Sequence, residues 1–80
     1  MRLPRDVSGR DLAKALHRLG YEVTRQAGSH IRLTKVGDPT HHVTVPDHDP
    51  IKLGTLNNIL KDIAASLSVT RDELLRTLFG

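Results

Sequence analysis

Residues 21–34 read Tyr21-Glu22-Val23-Thr24-Arg25-Gln26-Ala27-Gly28-Ser29-His30-Ile31-Arg32-Leu33-Thr34. The first six alternate and are β-branched enough for a strand, with Tyr21 and Val23 inward and Glu22, Thr24 and Gln26 outward. Ala27-Gly28-Ser29 supplies the turn, glycine giving the backbone freedom that a tight reversal needs. His30 to Thr34 alternates again. Ile31 and Leu33 take the core side, so His30, Arg32 and Thr34 take the other, because side-chain direction in a strand has period two.

Downstream, Val36-Gly37-Asp38-Pro39-Thr40 is rich in turn formers. His41-His42-Val43-Thr44-Val45 reads as a third strand, with Val43 and Val45 inward and His42 and Thr44 outward. Pro46 cannot donate to a ladder and ends it. Three sequential strands with short turns favour an antiparallel meander. Each is apolar on one face only, which suits a sheet with helices on one side and nothing on the other.

Upstream, Met1 to Val7 reads as a flexible leading segment. Ser8 caps a helix over 8–19, Asp11 suits its positive end, and Leu12, Ala15, Leu16 and Leu19 form one apolar stripe. Gly20 stands where a left-handed cap is wanted. Beyond the polar loop from Asp47 to Leu53, Gly54-Thr55 offers a cap for a helix over about 55–66, with Leu56, Ile59, Leu60 and Ile63 as its stripe. Thr70-Arg71-Asp72-Glu73 is a capping box, with Val69 and Leu74 as a hydrophobic staple. It opens a last helix over 70–79.

Eighty residues, 38% of them hydrophobic, fit one small domain with a thin core. A deep cleft is not expected, so any chemistry belongs on an open face or needs a partner. Without cysteine there is no disulfide, thiolate nucleophile or thiolate metal site. No apolar run spans a bilayer and no signal core follows Met1, so the expected compartment is the cytoplasm, with no membrane partner. Net charge is +3, but residues 1–35 carry +5 and the remainder −2. A basic half is the footprint of polyanion binding, and equally of a plain solvated surface.

His30 is the residue to weigh. Imidazole ordinarily titrates near neutrality. Metal-free RNA cleavage needs a base for the 2′-hydroxyl proton, an acid for the leaving oxygen, and cationic support for the phosphorane. Strand parity puts His30 on the uncovered face beside Arg32, yet an exposed strand histidine with no role fits the residues too. His41, His42, Asp47, His48 and Asp49 suggest a metal, but adjacent strand residues point oppositely and Pro46 separates them from the loop. Neither metal nor cofactor is expected. Arg10, Lys14 and Arg18 on the first helix, with Arg32 and Lys52, are candidate phosphate contacts. Tyr21 and Phe79, the only aromatics, hold core-pattern positions, so a base-stacking platform is not expected. Gly28 and Gly54 are isolated, which excludes a glycine-rich phosphate loop. Ser29 has no orienting acid.

Several pieces in order resemble the HicA-type (HicA/YcfA-like) mRNA interferase toxins of bacterial and archaeal toxin–antitoxin pairs. They are Leu19-Gly20-Tyr21, Arg25-Gln26-Ala27-Gly28-Ser29-His30, Val43-Thr44-Val45-Pro46, Lys52-Leu53-Gly54-Thr55-Leu56 and Ile59-Leu60, and the likeness runs from about residue 8 to the C-terminus. The resemblance implies an α+β fold like that of the double-stranded-RNA-binding domain: α-β-β-β-α over 8–66, a three-stranded antiparallel sheet with helices on one face, and here an extra C-terminal helix. It implies a type II toxin, a ribosome-independent endoribonuclease acting on mRNA. Its catalytic residue is the histidine of the Gly28-Ser29-His30 turn, and a HicB-type antitoxin covers that histidine. Two rivals remain open: a non-catalytic RNA-binding module and a partner-docking protein of the same fold.

Overall fold

The computed structural model of the chain describes residues 2–80. Helix α1 (Gly9–His17) is followed by strands β1 (Glu22–Ala27), β2 (His30–Lys35) and β3 (His41–Pro46), then by α2 (Leu53–Leu67) and α3 (Arg71–Phe79). The strands form an antiparallel meander in the order β1-β2-β3. Helix α1 lies across all three strands, α2 lies against β3, and α3 packs on α2 and α1. The molecule measures 30 × 28 × 18 Å, so its short axis has room for the sheet and one layer of helices. This is the expected α+β, double-stranded-RNA-binding-domain-like layout, with the far sheet face left to solvent.

Local chemistry explains most boundaries. The Asp11 N–H donates to Ser8 Oγ, the N-cap bond of α1. The helix closes two residues before the expected end, and Arg18, Leu19 and Gly20 finish it in three-residue turns. Gly20 (φ +94°) then takes the left-handed conformation. The capping box of Thr70 and Glu73 is present. Leu74, Leu75 and Leu78 carry α3 into the same core as Leu12, Leu16, Leu33, Val45, Leu56, Leu60 and Ile63.

Three expectations are corrected. Helix α2 starts at Leu53, not after Gly54-Thr55, and its N-cap, Lys52, makes no side-chain capping bond. The cause lies upstream: Ile51 is buried and its N–H donates to the Val7 carbonyl (2.8 Å), which delivers the chain to the helix two residues early. The same contact holds the leading segment, expected to be flexible. Val7 is in the core and Leu3 packs against it, whereas Met1 lies outside the described residues.

The third correction is in β1. Every residue of that strand is exposed, Val23 at 54%. Val23 does face the helix side, opposite buried Leu33, but an edge strand reaches past the cover that helices give. A β-bulge between Val23 and Arg25 then leaves Thr24 as an extra residue. Beyond it the alternation is reversed. Arg25 joins Arg32 on the open face, and Gln26, expected outward, joins Ile31 on the helix side, where its amide donates to Asp47 Oδ2 (3.3 Å).

Candidate functional site

The open face is a small grid, because residues directly opposite on antiparallel strands share a side. Its first row is Ala27, His30 and Pro46; its second is Arg25, Arg32 and Thr44; its third is Thr34 and His42, with Glu22 opposite Thr34 at the sheet edge and its carboxylate turned to His17 of α1. Thr24, the bulge residue, also leans over this face, with its Oγ1 3.0 Å from Thr34 Oγ1, which is itself 2.8 Å from His42 Nδ1. This hydroxyl chain explains why Thr34 is only 8% exposed on a face that helices do not cover.

His30 opens β2 at the edge of this grid, straight after the Gly28 turn, where φ is +57°. Its ring is exposed, and among the described residues it has no hydrogen-bond or ionic partner. The end of the sheet around it is closely tied. The Asp47 N–H donates to the Ser29 carbonyl (2.7 Å), and the Gly9 N–H donates to the His48 carbonyl (2.9 Å). Arg10 Nε lies 3.4 Å from Asp47 Oδ1. Thus the β1–β2 turn, the end of β3 and the start of α1 converge below His30. The imidazole is a free group on a fixed platform.

The five candidate phosphate contacts are divided between two surfaces. Arg32 stands one row from His30 on the open face. Arg10, Lys14 and Arg18 belong to the helix layer, where Arg10 is committed to Asp47 and the Arg18 guanidinium donates to the Leu78 carbonyl (3.4 Å). Lys52 is the exposed N-cap of α2. Arg25, which alternation assigned to the helix side, joins Arg32 instead. A signal for it was in the sequence: Tyr21, Val23 and Arg25 share one parity, and an arginine does not continue an apolar face.

His41 and His42 do point to opposite faces. On the helix side, His41 Nδ1 meets the Tyr21 hydroxyl (2.6 Å) and its Nε2 lies 3.3 Å from Asp62 Oδ1. The rings of Tyr21 and His41 meet edge to face at 5.8 Å. Burial pushes the Tyr21 phenol above its ordinary value of 10.0; hydrogen bonding to Ser66 opposes this, and the Asp62 charge adds to it. Among the described residues no group of three or more His, Asp or Glu side chains is gathered as a metal would require. Two surface hollows are present. One, of about 450 Å³, is lined by Arg2, Leu3, Arg5, Leu53 and Arg71. The other, of about 280 Å³, lies between α1 and β1. His30 lines neither; it stands exposed on the open face of the sheet.

A small two-layer α+β domain that presents a histidine and two arginines on a bare sheet defines the class. The family model described as the HicA toxin of bacterial toxin–antitoxin systems matches residues 9–64, from the start of α1 to within α2. The chain belongs to the HicA toxin family. Helix α3 lies beyond the matched span. Comparison with curated proteins and with solved structures gave no match.

Proposed function

We propose that the protein is the toxin of a type II toxin–antitoxin pair, an endoribonuclease that cleaves mRNA on its open sheet face with His30 as the proton-transfer residue. The observation that carries this reading is the setting of His30: exposed, without a side-chain partner, fixed at the head of β2, and one row from two guanidinium groups. An RNA strand laid across the grid brings a 2′-hydroxyl to the imidazole, which takes its proton as the oxygen attacks the adjacent phosphorus. The phosphorus–5′-oxygen bond breaks and the departing oxygen is protonated, by water or by the imidazolium just formed. Arg32, one row away on the same face, holds the strand by its backbone while the proton moves at His30. The same exposure leaves His30 open to a HicB-type antitoxin, which inhibits by covering it. Among the described residues no helix is long and apolar enough to cross a membrane; a cytoplasmic toxin acting on mRNA is the reading we adopt.

The test is cleavage of RNA by the purified wild type and by His30→Ala, each with EDTA present. Removing a positioned acid–base group lowers cleavage by about 10²–10⁴-fold. The substitution is on the surface, so stability stays within about 0.5 kcal/mol and melting confirms that the variant is folded. Undiminished cleavage by folded His30→Ala overturns the mechanism. Binding without cleavage by the wild type returns the protein to the RNA-binding rival.

A further inference from the structure

The second row of the grid holds a pair that a sheet does not ordinarily keep. Arg25 and Arg32 are direct cross-strand partners, on one face, beside a bulge. Like charges directly opposite one another destabilise a sheet. Nothing within the chain relieves this pair: among the described residues neither guanidinium has an ionic partner. The nearest acids are otherwise engaged. Glu22, opposite Thr34 at the sheet edge, faces His17 Nδ1 at 3.4 Å, and Asp47 lies on the helix side between Arg10 and Gln26. The bulge produces the pairing, since without the extra residue Arg25 would share the face of Val23 and not that of Arg32.

We infer that Arg25 and Arg32 form a two-guanidinium clamp for one RNA phosphate, the neighbour of the phosphate attacked at His30. This rests on the endoribonuclease reading and adds to it the residue that sets where the strand lies. Two planar forks in one cross-strand row suit a phosphate, whose oxygens accept paired N–H bonds. The spacing agrees. His30 and Arg32 are two residues apart on β2, about 6.8 Å along the strand, which is close to one nucleotide step of an extended RNA chain. Thr44, the other member of the row, adds a small exposed hydroxyl, so the seat is polar across all three strands. The clamp reads backbone and not base, which suits a face without Phe, Tyr or Trp.

The test uses the full chain with His30→Ala as background, so that a short fluorescent single-stranded RNA stays intact. Affinity is measured by anisotropy over a series of KCl concentrations. Arg25→Gln weakens binding by about tenfold or more, as expected for charge-assisted bonds to a phosphate. It also lowers the slope of log affinity against log salt by about 0.7. Lys61→Gln removes the same charge from the exposed surface of α2 and changes affinity less than about twofold. Because the two arginines share one phosphate, Arg25→Gln with Arg32→Gln loses less than the product of the single losses. In a second arm without RNA, pyrophosphate raises the melting temperature of wild type more than that of Arg25→Gln at equal ionic strength.

Equal effects of Arg25→Gln and Lys61→Gln overturn the clamp, as does full multiplication of the two single losses. A pyrophosphate shift that Arg25→Gln leaves intact does so as well. None of these readouts involves cleavage, so failure of the His30 mechanism and failure of the clamp are separate results.

Discussion

Substituting Gly9 by alanine tests how α1 is seated on the site. Gly9 is the first residue of α1, and a Cβ built on it collides with the Pro46 carbonyl oxygen and falls 2.9 Å from its carbon and 3.0 Å from Asp47 Cα. All three are backbone atoms, so no side chain can turn aside. Ordinary contact between carbon atoms lies at about 3.5–4.0 Å, and either the helix or the end of β3 must move. Overpacking of this kind costs about 1–3 kcal/mol. Weakening the bond from the Gly9 N–H to the His48 carbonyl adds about 0.5–1.5 kcal/mol. Against this, alanine gains up to about 1 kcal/mol over glycine in a helix, and less than that at its first position.

The net expectation is a loss of about 1–3 kcal/mol from a domain whose whole stability is about 4–12 kcal/mol. Thermal unfolding followed by far-UV circular dichroism should then show a midpoint about 5–20 °C lower. Gly54→Ala is the matched control: Gly54 is in the first turn of α2 and a Cβ there meets nothing within 4 Å, so its variant melts at or above wild type. The clash also reaches the site, because Pro46 is the cross-strand partner of His30. Cleavage by Gly9→Ala should fall further than its unfolded fraction explains. A Gly9→Ala protein that melts with or above wild type refutes this account of how the helix is seated.

Two further predictions concern the helix side. Tyr21→Phe leaves His41 Nδ1 without its 2.6 Å partner and should cost about 1–3 kcal/mol in urea unfolding near neutrality. Burial raises the folded phenol above 10.0, so the stability tied to its proton is whole below that pH and is lost as pH rises towards the folded value. Tyr21→Phe should therefore flatten the alkaline limb, and an equally steep limb in the variant would count against the assignment. Leu60→Ala, in the core, should cost about 2–5 kcal/mol, whereas Val23→Ala on the edge strand should stay within about 1 kcal/mol. Comparable losses in urea unfolding would mean that β1 is covered in solution.

The helices and strands β2 and β3 were legible because their signals are local and repeated. A stripe such as Leu12, Ala15 and Leu16 has one solution, and Thr70 with Glu73 marks a helix start whatever lies around it. Strands β2 and β3 alternate because α1 and α2 cover one of their faces, so burial follows parity except at Thr34, which the Thr24 and His42 side chains cover. What parity does not contain is where the cover stops. Val23 has a core residue's chemistry and direction but lies at the edge, and Val7 and Ile51 are isolated hydrophobes in polar stretches whose partner is each other's backbone. Such contacts belong to tertiary structure, and no window along the chain displays them.

The bulge at Thr24 follows from the sequence once the ladder of β2 is fixed. Tyr21 has to be inside, where it is fully buried and bonded to His41; that requirement also sets Val23 on the helix side. An unbroken strand would then aim Arg25 at the helix layer and Gln26 at solvent. Arg25 there would take the place opposite Ile31 that Gln26 holds and would compete with Arg10 for Asp47. Sliding the strand by one residue repairs Arg25 but expels Tyr21. One extra residue meets both demands: Tyr21 stays in, Arg25 goes out to Arg32, and Gln26 comes in to Asp47, which Arg10 also holds. Thr24 is suited to the extra position because its hydroxyl satisfies itself on Thr34 and on the Arg32 carbonyl. The irregularity that sequence alternation could not show is therefore the step that joins the core at one end of β1 to the arginine row beside His30 at the other.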